Sequence, residues 1–163
     1  MPRPSVIHPA RPQDLPALRR LFRAAVASDF AYFPETYRGG VLRQNTLPRL
    51  ARAALHPRRI VLVARADSLT GFLIGSLQPD GVAHIYWLFV DPTARGRRLG
   101  SELLEAGLRE LRRAGASKVS LVTHRYRKFY ERAGFHFDRV QLLPELFGDN
   151  EMHVMTLDLG AKP

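Results

Sequence analysis

The chain has 163 residues, 45% hydrophobic and 25% charged, which suits a single domain, residues 1–163, long enough to bury its own core. With no cysteine, no apolar run near the length of a membrane span and no signal-peptide core in the proline-rich residues 1–12, it excludes disulfides and thiol nucleophiles, and a cytoplasmic location is expected. The net charge of +10 raises nucleic acid as a partner, but only Lys118, Lys128 and Lys162 are lysines and the arginines are scattered, which argues against a dedicated nucleic-acid face.

In chain order, residues 5–8 can start a first strand, and Asp14 is placed to cap a helix carrying Leu15, Leu18, Leu21, Phe22 and Val26 at helical spacing. From Ser28 the pattern breaks into an aromatic and acidic segment, residues 28–37, followed by Gly39-Gly40 and a weaker helix over 47–55. Pro57 stops that helix. Residues 60–64 read as a buried strand, Asp67-Ser68 as a turn, and residues 71–77 as the antiparallel hairpin partner. A second turn, Pro79-Asp80-Gly81, leads into a strand over 82–90. Its unbroken apolar run from Ile85 to Val90 predicts burial on both faces, and Asp91-Pro92 ends it.

After Gly100, Leu103, Leu104, Leu108 and Leu111 recur at helical spacing, and Ala114-Gly115 closes that helix. Residues 118–123 form a fifth strand, parallel to the strand before the loop because a right-handed crossover joins them. A short helix over 126–133 ends at Gly134, and residues 135–142 and 152–159 are the final strands.

The turn between strand and helix has a physical use. The first amides of a helix lack internal partners and the dipole there is positive, so Gly96, Arg97, Arg98, Leu99, Gly100 and Ser101 suit a phosphate or pyrophosphate. The guanidiniums of Arg95, Arg97 and Arg98 add charge. Neither the dinucleotide nor the nucleoside-triphosphate loop pattern fits, since Gly96 and Gly100 are four apart and no Gly-Lys-Ser/Thr follows.

Residues 90–104 resemble the acetyl-coenzyme A loop of the Gcn5-related N-acetyltransferases, Gln/Arg-x-x-Gly-x-Gly/Ala, with Arg98 where the motif has its first glycine. Residues 129–135, Phe-Tyr-Glu-Arg-Ala-Gly-Phe, are similar to the second signature of that family, a helix ending in Tyr-x-x-x-Gly-Phe. Two motifs in the family order are far more specific than either alone. The resemblance implies a single-domain α/β fold with a mixed, mainly antiparallel sheet of six to seven strands flanked by about four helices. It also implies acetyl-CoA as cosubstrate, no metal, and direct acetyl transfer to a primary amine such as a peptide N-terminus, a lysine or a small amine.

Within that frame, the resemblance makes Tyr130 the candidate acid that protonates the coenzyme A sulfur, and backbone groups of Leu88, Phe89 and Val90 the holders of pantetheine. His84 stands where family members often place a glutamate base, and its neutral imidazole can accept a proton directly or through water. His124, at the end of the fifth strand, competes for that role. The resemblance also puts the acceptor between residues 28–37 and 143–151. Both segments lack lysine and arginine and contain Asp29, Glu35, Glu145, Asp149 and Glu151, so a cationic amine is expected beside Phe30, Tyr32, Phe33, Glu35, Asp149 and Glu151. The rival readings are an acyl-coenzyme A sensor without turnover and a basic nucleic-acid-associated module. The sequence leaves monomer and homodimer both open.

Overall fold

The computed structural model describes residues 4–160; the first three residues and Lys162 lie outside that range. A seven-stranded sheet runs in the order β1-β2-β3-β4-β5-β7-β6. Its strands are β1 (Val6–Pro9), β2 (Arg59–Arg65), β3 (Leu69–Leu77), β4 (Val82–Val90), β5 (Lys118–Thr123), β6 (His136–Gln141) and β7 (Met152–Asp158). All neighbours are antiparallel except β4 and β5, whose parallel pairing follows from the crossover helix between them.

Six helices flank the sheet: α1 (Leu15–Ser28), α2 (Glu35–Gln44), α3 (Leu47–Leu55), α4 (Leu99–Arg113), α5 (Arg127–Arg132) and α6 (Pro144–Phe147). One face packs Leu62, Leu73 and Ile85 against Leu103, Leu104 and Leu111 of α4. The opposite face packs Val61, Val63 and Phe72 against Leu18, Phe22 and Leu50 of α1 and α3. Burying each such side chain stabilises the fold by about 1.5–3 kcal/mol. The crossover helix lies flush on the sheet because Gly107 has no side chain: a Cβ there would stand 2.7 Å from Leu73 Cδ1. No helix among the described residues is long and apolar enough to cross a membrane.

Four local expectations need correction. Residues 35–44 are helical, although Gly39-Gly40 and a weak apolar stripe disguise it; packing of Tyr37 on Phe147 of α6, 5.0 Å between ring centroids, outweighs propensity. α6 itself lies within residues 143–151, read from the sequence only as the join between the last two strands. Asp14 occupies the cap position of α1 without bonding its amides. Its buried carboxylate instead accepts from Arg11 N at 2.8 Å and Arg65 Nη2 at 2.7 Å, tying the start of α1 to β2. Finally, β4 is not buried on both faces throughout. A register shift between Ile74 and Gly75 of β3 gives β4 an extra residue there, and Tyr86 is left half exposed.

Candidate active site

The parallel pairing of β4 with β5 lasts only from Val82 opposite Lys118 to Ile85 opposite Leu121. Beyond that point β4 continues to Val90, bonded to β3 alone, and β5 continues to Thr123, bonded to β7 alone. The two strands therefore part just where the bulge falls in β4. Leu88, Phe89 and Val90 line one side of the resulting opening, and their edge toward β5 has no strand partner. The Val90 carbonyl accepts from Arg95 Nε at 2.9 Å.

At the far end of β4 a short 3-10 turn, Pro92–Ala94, is capped by Asp91, whose Oδ1 accepts from Thr93 N at 2.9 Å and from Thr93 Oγ1 at 2.6 Å. The chain then swings into α4. Gly96 has φ +78°, in the region that favours glycine, and Arg98 has φ 62° as well. This left-handed residue aims the chain so that the first backbone bond of α4 runs from Glu102 N to the Arg98 carbonyl. Among the described residues no backbone carbonyl accepts from the amides of residues 96–101. Arg97 and Arg98 are exposed and buried Leu99 pins the helix start, so, among the described residues, free amides and two unpaired guanidiniums belong to one short turn. The donors present fit a pyrophosphate.

Arg95 is the exception among the three loop arginines. Its Nη2 bonds both carboxylate oxygens of Asp29, at 3.0 and 2.9 Å, and its guanidinium lies 5.5 Å from the Phe89 ring centroid. It thus brings no uncompensated charge to the turn. Tyr126 OH reaches the same carboxylate at 3.4 Å. This grouping escaped sequence reasoning because Asp29 stands 66 residues before Arg95, with no periodicity linking them.

The second motif closes the other side. A Cβ on Gly100 would stand 3.6 Å from Phe129 Cζ, so the α4 start and α5 are neighbours. Tyr130 lies beneath, 8% exposed, edge-on to Phe129 and Phe135 at 5.0 and 5.7 Å. Burial, with a smaller contribution from Tyr126, pushes its phenol well above the ordinary tyrosine value, so it keeps its proton across the physiological range.

The two candidate bases occupy different surroundings. His84 is paired across β3 with Ser76 and across β5 with Ser120, before the strands part, on the face covered by α1 and α3. His124 follows β5 directly and sits beside the aromatic segment 28–37, 5.0 Å from the Tyr32 ring and 6.1 Å from Phe33. Its Nδ1 lies 2.8 Å from the Glu151 carbonyl. A carbonyl only accepts, so Nδ1 carries the hydrogen and the neutral ring presents Nε2 as acceptor.

Residues 28–37 and 143–151 do meet: Phe33 packs on Phe147 at 5.4 Å, and Asn150 Nδ2 donates to the Tyr32 carbonyl at 3.5 Å. Phe30 stacks on Phe33 at 5.4 Å, and Arg125 covers Tyr32 at 3.9 Å. Glu35, Asp149 and Glu151 are exposed at the rim, with Glu151 Oε2 4.0 Å from His153 Nε2. Among the described residues no group of three His, Cys, Asp or Glu side chains could hold a metal ion.

A splayed parallel strand pair, a glycine-arginine turn opening a helix and a buried tyrosine on the next helix define the class, and the sequence comparisons agree. The sequence model of the acetyltransferase (GNAT) family matches residues 22–135, and the chain belongs to that family. The chain is 33% identical over 141 residues to a mycothiol acetyltransferase of Mycobacteroides abscessus, covering 80% of this chain and 45% of that protein. It is 36% identical over 106 residues to a mycothiol acetyltransferase of Sanguibacter keddieii, covering 61% and 33%. The chain thus spans less than half the length of these curated relatives. Among solved structures, the PaiA N-acetyltransferase of Thermoplasma acidophilum in complex with coenzyme A shares the fold, with a TM-score of 0.78, 19% identity and coverage of 94% and 98%. The ribosomal-protein-S18-alanine N-acetyltransferase of Escherichia coli does too, with a TM-score of 0.72, 20% identity and coverage of 98% and 96%.

Proposed function

We propose that this chain is a cytoplasmic N-acetyltransferase that moves the acetyl group of acetyl-CoA directly to a primary amine of a small molecule or peptide. The observation that carries this reading is the opening where β4 leaves β5, with the start of α4 set against Val90 and Phe129 at its end and the amides of residues 96–101 without a backbone acceptor among the described residues. The amides, with Arg97 and Arg98, hold the pyrophosphate, and the free edge of Leu88, Phe89 and Val90 orients the pantetheine arm. The acceptor nitrogen attacks the thioester carbonyl carbon, the carbon–sulfur bond breaks, and Tyr130 delivers its proton to the departing sulfur. The burial that raises the phenol raises the thiolate's proton affinity too, so transfer between them remains feasible.

For the base, His124 is favoured over His84. Its Nε2 is presented by the Glu151 carbonyl bond, and it stands beside the aromatic segment expected to receive the acceptor. Phe30, Tyr32 and Phe33 supply the apolar wall, while Glu35, Asp149 and Glu151 draw the ammonium form of the amine toward it.

Initial rates measured over a grid of acetyl-CoA and amine concentrations test the scheme. Direct transfer gives intersecting double-reciprocal lines, whereas parallel lines would indicate an acetylated enzyme. Because the chain has no cysteine, a thiol reagent reads released coenzyme A against no protein background. Acetyl-CoA binding with no thiol release for any amine would convert the protein into a sensor.

A further inference from the structure

On the α1 and α3 face a cavity of about 930 Å³ runs from Trp87, Ile74 and Tyr37 to the ends of α3 and β3. Its inner end touches the β4 bulge where the strands part; its outer end carries Arg49, Arg52, Arg58 and Arg59. No aspartate or glutamate lines it. These four are exposed and, like most arginines among the described residues, have no carboxylate within ion-pair distance; what sets them apart is that they gather at one cavity. The cavity floor also has a surplus donor. Gln78 Nε2 donates to Ser76 Oγ at 2.8 Å and to Tyr86 OH at 3.3 Å, and the two hydroxyls bond each other at 3.0 Å. That mutual bond uses one hydroxyl proton and, with Tyr86 half exposed, leaves the other open to solvent or a bound group.

Four guanidiniums at one end of a cavity with no acid in its lining, and a hydroxyl proton to spare on its wall, suit anionic oxygen. Resting on the acetyltransferase reading above, we infer that the acceptor carries an acidic group, carboxylate or phosphate, which this arginine groove holds while its amine points past Trp87 to the thioester. The acceptor is therefore doubly functional: an ammonium drawn by the acidic rim and an anion drawn by the groove. A cavity of about 930 Å³ that ends against the aromatic residues Tyr37 and Trp87 suits a small molecule better than a nucleic-acid strand.

The test compares ω-amino carboxylates and aminoalkyl phosphates with their carboxamides, alkanolamines and diamines, in thiol-release kinetics and in titrations of coenzyme A-bound protein. Trp87 is the single tryptophan and lines the groove, so its fluorescence reports occupancy without turnover. Acidic amines should show kcat/KM about tenfold or more above their neutral counterparts, falling as salt is raised. Arg49→Glu with Arg58→Glu should raise KM for acidic amines about tenfold, leave kcat and acetyl-CoA affinity nearly unchanged, and spare neutral amines; Arg49→Gln with Arg58→Gln serves if the reversal misfolds. Whichever of the two acids wins identifies the group. Equal use of acidic, neutral and cationic amines overturns the groove while leaving acetyltransfer intact. Acidic amines that perturb Trp87 fluorescence in the parent but not in the variant, without any thiol release, uphold the groove and overturn acetyltransfer. Neither binding nor preference overturns the inference.

Discussion

Arg95 Nη2 grips both carboxylate oxygens of Asp29, at 3.0 and 2.9 Å, joining the end of α1 to the start of the loop that opens α4. Its Nε simultaneously bonds the Val90 carbonyl at 2.9 Å. The pair is partly exposed, with side chains 40% and 20% accessible, so its worth to stability is modest.

A double-mutant cycle with Arg95→Ala and Asp29→Ala should give a coupling of about 0.5–1 kcal/mol by chemical denaturation. Since Asp29 already neutralises Arg95, the Arg95→Ala change should weaken acetyl-CoA binding less than about threefold, far less than loss of charge at Arg97 and Arg98. Equal losses at all three arginines would show that Arg95 leaves Asp29 to meet the cofactor.

Arg98 takes a left-handed conformation, φ 62° and ψ 3°, with its side chain exposed. A non-glycine residue there costs about 1 kcal/mol. Arg98→Gly should therefore more than offset the added chain entropy and raise stability by up to about 0.5 kcal/mol, read by denaturant midpoint. Acetyl-CoA affinity should fall by more than the change expected for Arg95→Ala, through the lost charge. A drop in stability would mean that the guanidinium holds contacts outweighing the backbone strain.

Much of the fold and of the cofactor turn is legible in the residues themselves. The β4-loop-α4 unit announces itself because its period changes from a continuous apolar run to helical spacing at Gly100, and local chemistry decides local geometry. The turn into α4 and the parallel crossover follow from it, whereas Tyr130 is marked only by the second motif of the resembled family. What sequence conceals is set by pairs distant along the chain: Asp14 with Arg65, Asp29 with Arg95, Tyr37 with Phe147. α2 is hidden for the same reason, since only Val41 of that helix is buried and its support comes from α6. The bulge that exposes Tyr86 depends on β3, and no property of Ile85 to Val90 records it.

Burial raises the phenols of Tyr32, Tyr37, Tyr126 and Tyr130, with Tyr32 pushed up to about 12. A group whose folded value lies above its unfolded one stabilises fully below the unfolded value, near 10, and loses that contribution as pH rises further. Stability should thus hold to about pH 10 and fall beyond it. Tyr130, almost fully buried, should contribute a slope of about 1.4 kcal/mol per pH unit between pH 10 and 12, and Tyr130→Phe should flatten the profile by that amount. The same variant should lower kcat about a hundredfold at neutral pH with little effect on acetyl-CoA affinity. An unchanged kcat with a flattened pH profile would make Tyr130 a packing residue.

The cofactor turn is tested most directly by calorimetric titration of acetyl-CoA into the parent and into Arg97→Glu with Arg98→Glu. One-to-one binding to the parent, weakened about tenfold or more in the variant and most strongly at low salt, is the expected result. Equal affinity for both proteins, or no binding to the parent, would contradict the assignment of the β4–β5 opening and its glycine-arginine turn to acetyl-CoA.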